Sequence, residues 1–310
     1  MSLLSIVIPS YNEEDILPST AQVLGKLLDE EKISHQMIFV DDGSEDSTWD
    51  RIVEIAEAGD HVTGVRFSRN FGKEAAIIAG LACARGDCTA VMDSDLQHPP
   101  ETLVKMYRLW EQGYEVVEGV KRERGRESVP HRLSARLFNR IMSQGTRVDM
   151  SAASDFKLMD KKVVSALLAM PERNTFFRAM SSWIGFKTCS VEFDVKERSA
   201  GTSKWSTMSL IRYAINNIAA YSSLPMQLVT GAGIFSLILS VILGIQTIVR
   251  YASGHAVEGF TTVILLILLL GSIVMISLGI IGYYISQIYE EVKARPRYII
   301  SDMTGYGGET

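Results

Sequence analysis

An α/β domain built on a mostly parallel sheet and followed by membrane-spanning helices is the architecture this sequence predicts, and three observations predict it. Short apolar runs alternate with helical patterns through about the first 120 residues, as strands do when they feed crossover helices. Each strand candidate opens into a loop rich in Asp, Ser, Gly or Asn. After Pro225 the charged residues give way to two long apolar runs.

Strands are expected at Leu3–Ile8, Met37–Val40, Val62–Phe67, Thr89–Met92 and Val116–Gly119, with helices over Ile16–Asp29, Thr48–Glu57, Lys73–Ala84 and Pro100–Gln112. Loops at the carboxyl ends of such strands build ligand sites. No Gly-x-Gly-x-x-Gly follows the first strand, which excludes the usual dinucleotide-binding turn. The 310 residues carry a net charge of -5 with dispersed basic residues, so a nucleic-acid groove is not expected. Cys83, Cys88 and Cys189 are odd in number and lack metal-ligand spacing, which reads as free thiols in a reducing compartment.

The runs Met226–Val249 and Phe260–Ile288 contain no charge, and each exceeds the roughly 20 residues that cross a bilayer as a helix. Spans are expected over 226–249 and 261–288; a pair of buried core helices is the alternative. Lys293, Arg295 and Arg297 follow the second run, while the connection carries only Arg250, His255 and Glu258. That asymmetry places the N-terminal domain and the tail in the cytoplasm. The expected organisation is a catalytic domain over 1–204, an amphipathic helix over 205–225, the two spans within 226–289, and a tail over 290–310. In the amphipathic segment Met208, Ile211, Ile215 and Ile218 lie at helical spacing against Ser209, Arg212, Asn216 and Asn217, which suits the bilayer interface or packing on the domain.

Asp93-Ser94-Asp95, directly after a strand, sets two carboxylates beside the amide of Gln97. Such an oxygen-rich turn suits Mg²⁺ or Mn²⁺ carrying a diphosphate, although acidic turns also cap helices or face water. Asp41 and Asp42 end another strand and either accept from a base edge or order the turn at Gly43-Ser44, with Tyr11 and Glu13 bounding the same pocket. Lys73 opens a helix after Arg69-Asn70-Phe71-Gly72, a place for an anion or a solvated cation. Lys121, Arg122, Arg124 and Arg126 form a basic loop, and Arg132, Arg136 and Arg140 share one helical face; phosphate contact and solvation both account for them. The segment Arg198–Trp205, with Ser203 and Lys204, suits a loop closing over phosphates. Asp155, amid apolar residues, reads as a general base or as a structural partner for an arginine.

Taken in order, Ile8-Pro9-Ser10-Tyr11-Asn12-Glu13, Val40-Asp41-Asp42-Gly43-Ser44, Asn70-Phe71-Gly72-Lys73, Asp93-Ser94-Asp95-Leu96-Gln97-His98-Pro99-Pro100-Glu101, Ser154-Asp155-Phe156 and Ser203-Lys204-Trp205 resemble the inverting family 2 glycosyltransferases. Within them the pattern is similar to the polyprenyl-phosphate branch, which includes dolichol-phosphate mannose synthases and bactoprenol glucosyltransferases. The resemblance implies a Rossmann-like GT-A domain. It implies a metal held by Asp93, Asp95 and Gln97, and a nucleotide-sugar pocket lined by Pro9, Tyr11, Asn12, Glu13, Asp41, Asp42, Lys73 and Asp93. Asp155 and Asp95 would be catalytic, with Asp155 as base, and Arg122, Arg124, Arg136, Arg198, Ser203 and Lys204 would handle phosphates. Ser94 stands where such motifs more often carry alanine. The implied reaction moves one sugar, glucose from UDP-glucose first and GDP-mannose or a UDP-N-acetylhexosamine behind it, onto polyprenyl phosphate at a cell membrane, by a multi-pass enzyme, with assembly into a homo-oligomer left open. A processive polysaccharide synthase would show Gln-x-x-Arg-Trp and more spans, which this sequence lacks. A non-catalytic nucleotide-binding scaffold is the reading from a different class.

Overall fold

The computed structural model describes residues 2–59, 61–122, 154–172, 176–194, 224–254 and 259–305. They form two compact units, one from the described parts of 1–207 with 295–305, the other from the described parts of 224–294.

In the first unit β1 (Leu3–Ser10), β2 (Ser34–Asp41), β3 (Val62–Phe67) and β4 (Cys88–Val91) alternate with α1 (Leu17–Glu30), α2 (Thr48–Ala58), α3 (Lys73–Cys83) and α4 (Pro100–Glu111). All eight elements lie where the periodicity places them, to within a few residues. Then come β5 (Val116–Lys121), β6 (Lys157–Asp160), α5 (Lys161–Leu168), α6 (Phe177–Trp183) and β7 (Thr188–Phe193). Asp160 caps α5 by accepting from the Lys162 amide at 3.0 Å.

The sheet runs β7-β5-β6-β4-β1-β2-β3-β8, where β8 is Ile300–Thr304. Pairings β1–β2, β2–β3, β1–β4 and β5–β7 are parallel, and β4–β6, β5–β6 and β3–β8 antiparallel. Strand order reverses at β1, which opens a crevice above the carboxyl ends of β1 and β4. Two cores sandwich the sheet. Leu4, Ile6 and Ile8 pack with Leu24, Ile52 and Leu103 on one face. Val7, Ile38 and Val65 meet the α3 residues Ala76–Ile78 and α5 on the other. α3 lies close because Gly80 has no side chain: a Cβ there would run into Val7.

β8 is a difference from the sequence reading, which left 290–310 as a separate tail. Met303 pairs with Val65, and the Ser68 amide donates to Ile299 O at 3.0 Å, so the tail closes the β3 edge of the sheet. Tyr298 stacks on Phe67 with ring centroids 5.0 Å apart.

The second unit contains α7 (Leu224–Ala252) and α8 (Phe260–Val292). Met226–Arg250 and Leu269–Val292 are long and apolar enough to cross a membrane, with mean hydropathies of 2.4 and 1.9, and neither is buried within the chain. The amphipathic segment 205–225 lies outside the described residues up to position 223.

Candidate active site

Three strand ends deliver the polar loops to the crevice. After β1, Asn12 takes a left-handed conformation (φ 53°), donates its amide to Ser44 Oγ at 2.9 Å and accepts from the Glu45 amide at 2.9 Å. The Glu13 amide donates to Thr48 Oγ1 at 2.8 Å. The loop after β1 is thus tied to the loop after β2. Tyr11, at the surface, and Glu13 flank that tie, and Pro9 pairs in register with Val40.

Asp41 and Asp42 have different tasks. Asp42 accepts from the Phe71 amide at 2.6 Å and from the Gly72 amide at 2.9 Å. Burial, opposed by these two amides, raises its pKa to about 6. Gly43 (φ 67°) permits the contact, since a Cβ there would strike the backbone of Arg69 and Asn70. Asp41 is fully buried, and its Oδ1 accepts from the Ser44 amide at 2.9 Å. Its Oδ2 has no hydrogen-bond partner among the described residues, with Arg66 Nε 3.5 Å away. At that length the arginine supplies charge rather than a well-formed hydrogen bond, and the oxygen is sealed from solvent.

The β4–β6 register brings two carboxylates together. Val91 pairs with Lys157 in antiparallel sense, so two residues further on Asp93 and Asp155 lie opposite each other. His98 stacks on Phe156 at 4.5 Å, with Phe193 against both rings, and clamps the two segments. Burial pushes the His98 pKa down and favours its neutral form. Lys73 Nζ bridges the gap, 2.6 Å from Asp93 Oδ1 and 3.1 Å from Asp155 Oδ2. Arg178 grips Asp155 from α6 with two hydrogen bonds of 2.7 and 2.9 Å. Burial acts to raise the Asp155 pKa, but Lys73 and Arg178 outweigh it and hold the carboxyl well below the usual range. Burial likewise opposes the charge on Lys73, and the two aspartates overcome it and raise its pKa. Glu74 anchors α6 by accepting from the Phe177 amide at 2.8 Å; burial, aided by Asp155, raises its pKa to about 7.

Asp95 Oδ1 accepts from the Gln97 amide at 3.1 Å, and Leu96 takes φ 55°, so 93–97 is a tight turn. No group of three His, Cys, Asp or Glu among the described residues is placed to hold a metal. Asp93 and Asp95 supply two hard carboxylates, a donor set that suits a divalent ion completed by diphosphate oxygens and water. The Lys73 ammonium, already against Asp93, is a cation standing in this position.

Residues 5–168 of the chain match Glycosyl transferase family 2. The chain belongs to that family. This glycosyltransferase is 37% identical over 304 residues to an uncharacterized glycosyltransferase of Synechocystis sp., covering 97% of this chain and 96% of the relative. It is 33% identical over 299 residues to the SfII prophage-derived bactoprenol glucosyl transferase of Shigella flexneri, covering 96% and 97%. Among solved structures, a mycobacterial protein matches with a TM-score of 0.50 at 21% identity, over 70% of this chain and 73% of that one, a likeness of fold.

In the family 2 glycosyltransferase the structure gathers Lys73, Asp93 and Asp155 into one cluster and sets Asp41 and Asp42 beside the loop that carries Lys73. Asn12 and Asp42 serve mainly to hold loops. Arg122, expected on phosphate, stands at the carboxyl end of β5 with Glu192 at 3.2 Å and Asp194 at 3.8 Å. Arg124, Arg136, Arg198, Ser203 and Lys204 lie outside the described residues. Sequence reasoning missed Arg178. Its only signal was a charge inside the apolar run Phe176–Met180, and the partner it serves is 23 positions away.

Proposed function

We propose that this glycosyltransferase transfers one glucose from UDP-glucose to the phosphate of a polyprenyl phosphate, with inversion, at the cytoplasmic face of a cell membrane that α7 and α8 span. The observation that carries the reading is the facing pair Asp93 and Asp155, bridged by Lys73 at the sheet's switch point. The name of the Shigella relative, aligned over nearly the whole chain including both apolar helices, supports the lipid acceptor.

A phosphate oxygen of the lipid forms the new bond to the anomeric carbon as the carbon–oxygen bond to the nucleoside diphosphate breaks, and the nucleotide leaves with the electron pair. Asp93 and Asp95, with Gln97, would hold Mg²⁺ or Mn²⁺, which when bound neutralises charge on the departing diphosphate. The loop of Asp41 and Asp42 would bound the base of the nucleotide, with Tyr11 and Glu13 at the pocket rim. An acceptor phosphate is largely ionised at neutral pH, so it needs little deprotonation. Asp155, held ionised, is a weak proton acceptor. It fixes Arg178 toward the acceptor phosphate and takes a residual proton where one remains.

Full-length protein in detergent, given undecaprenyl phosphate and UDP-glucose, GDP-mannose or UDP-N-acetylglucosamine in turn, is read by mass spectrometry of the lipid. The expected product is a hexosyl monophosphate lipid from UDP-glucose. Absence of glycolipid with every donor contradicts the reading.

A further inference from the structure

We infer that Lys73 is a resident counter-cation: it occupies the metal position at Asp93 until a nucleotide diphosphate draws its ammonium away, which makes divalent-metal binding dependent on nucleotide. The inference rests on the proposed role of Asp93 as a metal ligand and goes beyond it.

Lys73 Nζ is 2.6 Å from Asp93 Oδ1, the contact an inner-sphere metal on that oxygen would require. Two cations cannot share that oxygen without strong repulsion. Asp95 supplies the second carboxylate of the pair and does not replace the oxygen that Lys73 holds on Asp93. The root of Lys73 is fixed: Asp42 holds the amides of Phe71 and Gly72, and α3 begins at Lys73 itself. Its side chain is 38% exposed and so is not packed on every side. The other carboxylate keeps a partner, since Arg178 grips both oxygens of Asp155 after Lys73 departs. A diphosphate arriving over the start of α3 offers the ammonium anionic oxygens of equal quality. Metal and nucleotide then enter together, and the lysine returns to Asp93 when they leave.

Mn²⁺ titration of the full-length protein, with free ion followed by electron paramagnetic resonance, tests this in the absence of nucleotide and with UDP or GDP. Parent, Lys73→Met, Lys73→Arg and Asp93→Asn are compared, with thermal melting to establish folding. Without nucleotide, Lys73→Met is expected to bind Mn²⁺ roughly tenfold or more tightly than parent, and Lys73→Arg as weakly as parent. With nucleotide the parent tightens, and Lys73→Met tightens far less. Unchanged or weaker nucleotide-free Mn²⁺ binding in folded Lys73→Met overturns the inference while leaving the metal site intact. A parent that binds no Mn²⁺ under any condition, or Asp93→Asn that binds as parent does, removes the metal reading and the inference with it.

Discussion

Arg178 and Glu74 shape the site without belonging to the motifs that announce it. Arg178→Lys keeps the charge but loses the two-pronged grip on Asp155. A drop in kcat of about 10²-fold with little change in donor KM is expected, because the acceptor rather than the donor is misplaced; steady-state kinetics with both substrates varied checks it. Glu74 titrates at about 7 in the fold against 4.5 for a free carboxyl. The folded state therefore binds the extra proton between those values, and stability falls as pH rises from 4.5 to 7. Glu74→Gln keeps an acceptor for the Phe177 amide and has no proton to lose. Relative to parent it should gain on the order of 2 kcal/mol across that window, seen as a flattened dependence of melting temperature on pH. A parallel slope in parent and variant contradicts the assignment. Burial that raises one carboxyl, and ion pairs that lower another a few ångströms away, are not written in residue types, which is why the sequence presented Asp155 as base or arginine partner with equal weight.

Elements with a strong periodic signal were legible, and those without one were not. β1 to β4 are buried on both faces and read as apolar runs, while α1 and α4 carry Pro in their first turns. β8 is exposed at four of its five positions, and β7 alternates but buries only Phe193, so neither stood out as an apolar run. The buried pair Lys157–Glu118 was equally hidden. Lys157 sits fully buried on β6, 2.5 Å from Glu118 on β5, and donates to Ser181 at 2.8 Å on α6, tying together the three elements behind Asp155. Glu118→Ala would leave that ammonium buried without its counter-ion and should cost about 3–5 kcal/mol in chemical denaturation; a change under about 1 kcal/mol would show the pair to be dispensable. Gly80→Ala should cost about 1–3 kcal/mol by pushing α3 off Val7. Since α3 begins with Lys73, activity should fall with it.

At the scale of the molecule, a sheet closed at one edge by its own C-terminal strand presents a crevice at the strand-order reversal, and a second unit supplies two exposed apolar helices. Placement of the crevice followed from topology, and the loops that the motifs mark lie at its rim. The arginines expected on phosphate, apart from Arg122, lie outside the described residues. We propose that the carboxylate at position 93 serves sugar transfer onto a lipid phosphate. Turnover of Asp93→Asn on undecaprenyl phosphate, measured with protein whose melting matches parent, tests it most directly. A loss of about 10³-fold or more, equivalent to roughly 4 kcal/mol of transition-state stabilisation, is predicted. Turnover within a few-fold of parent would contradict it.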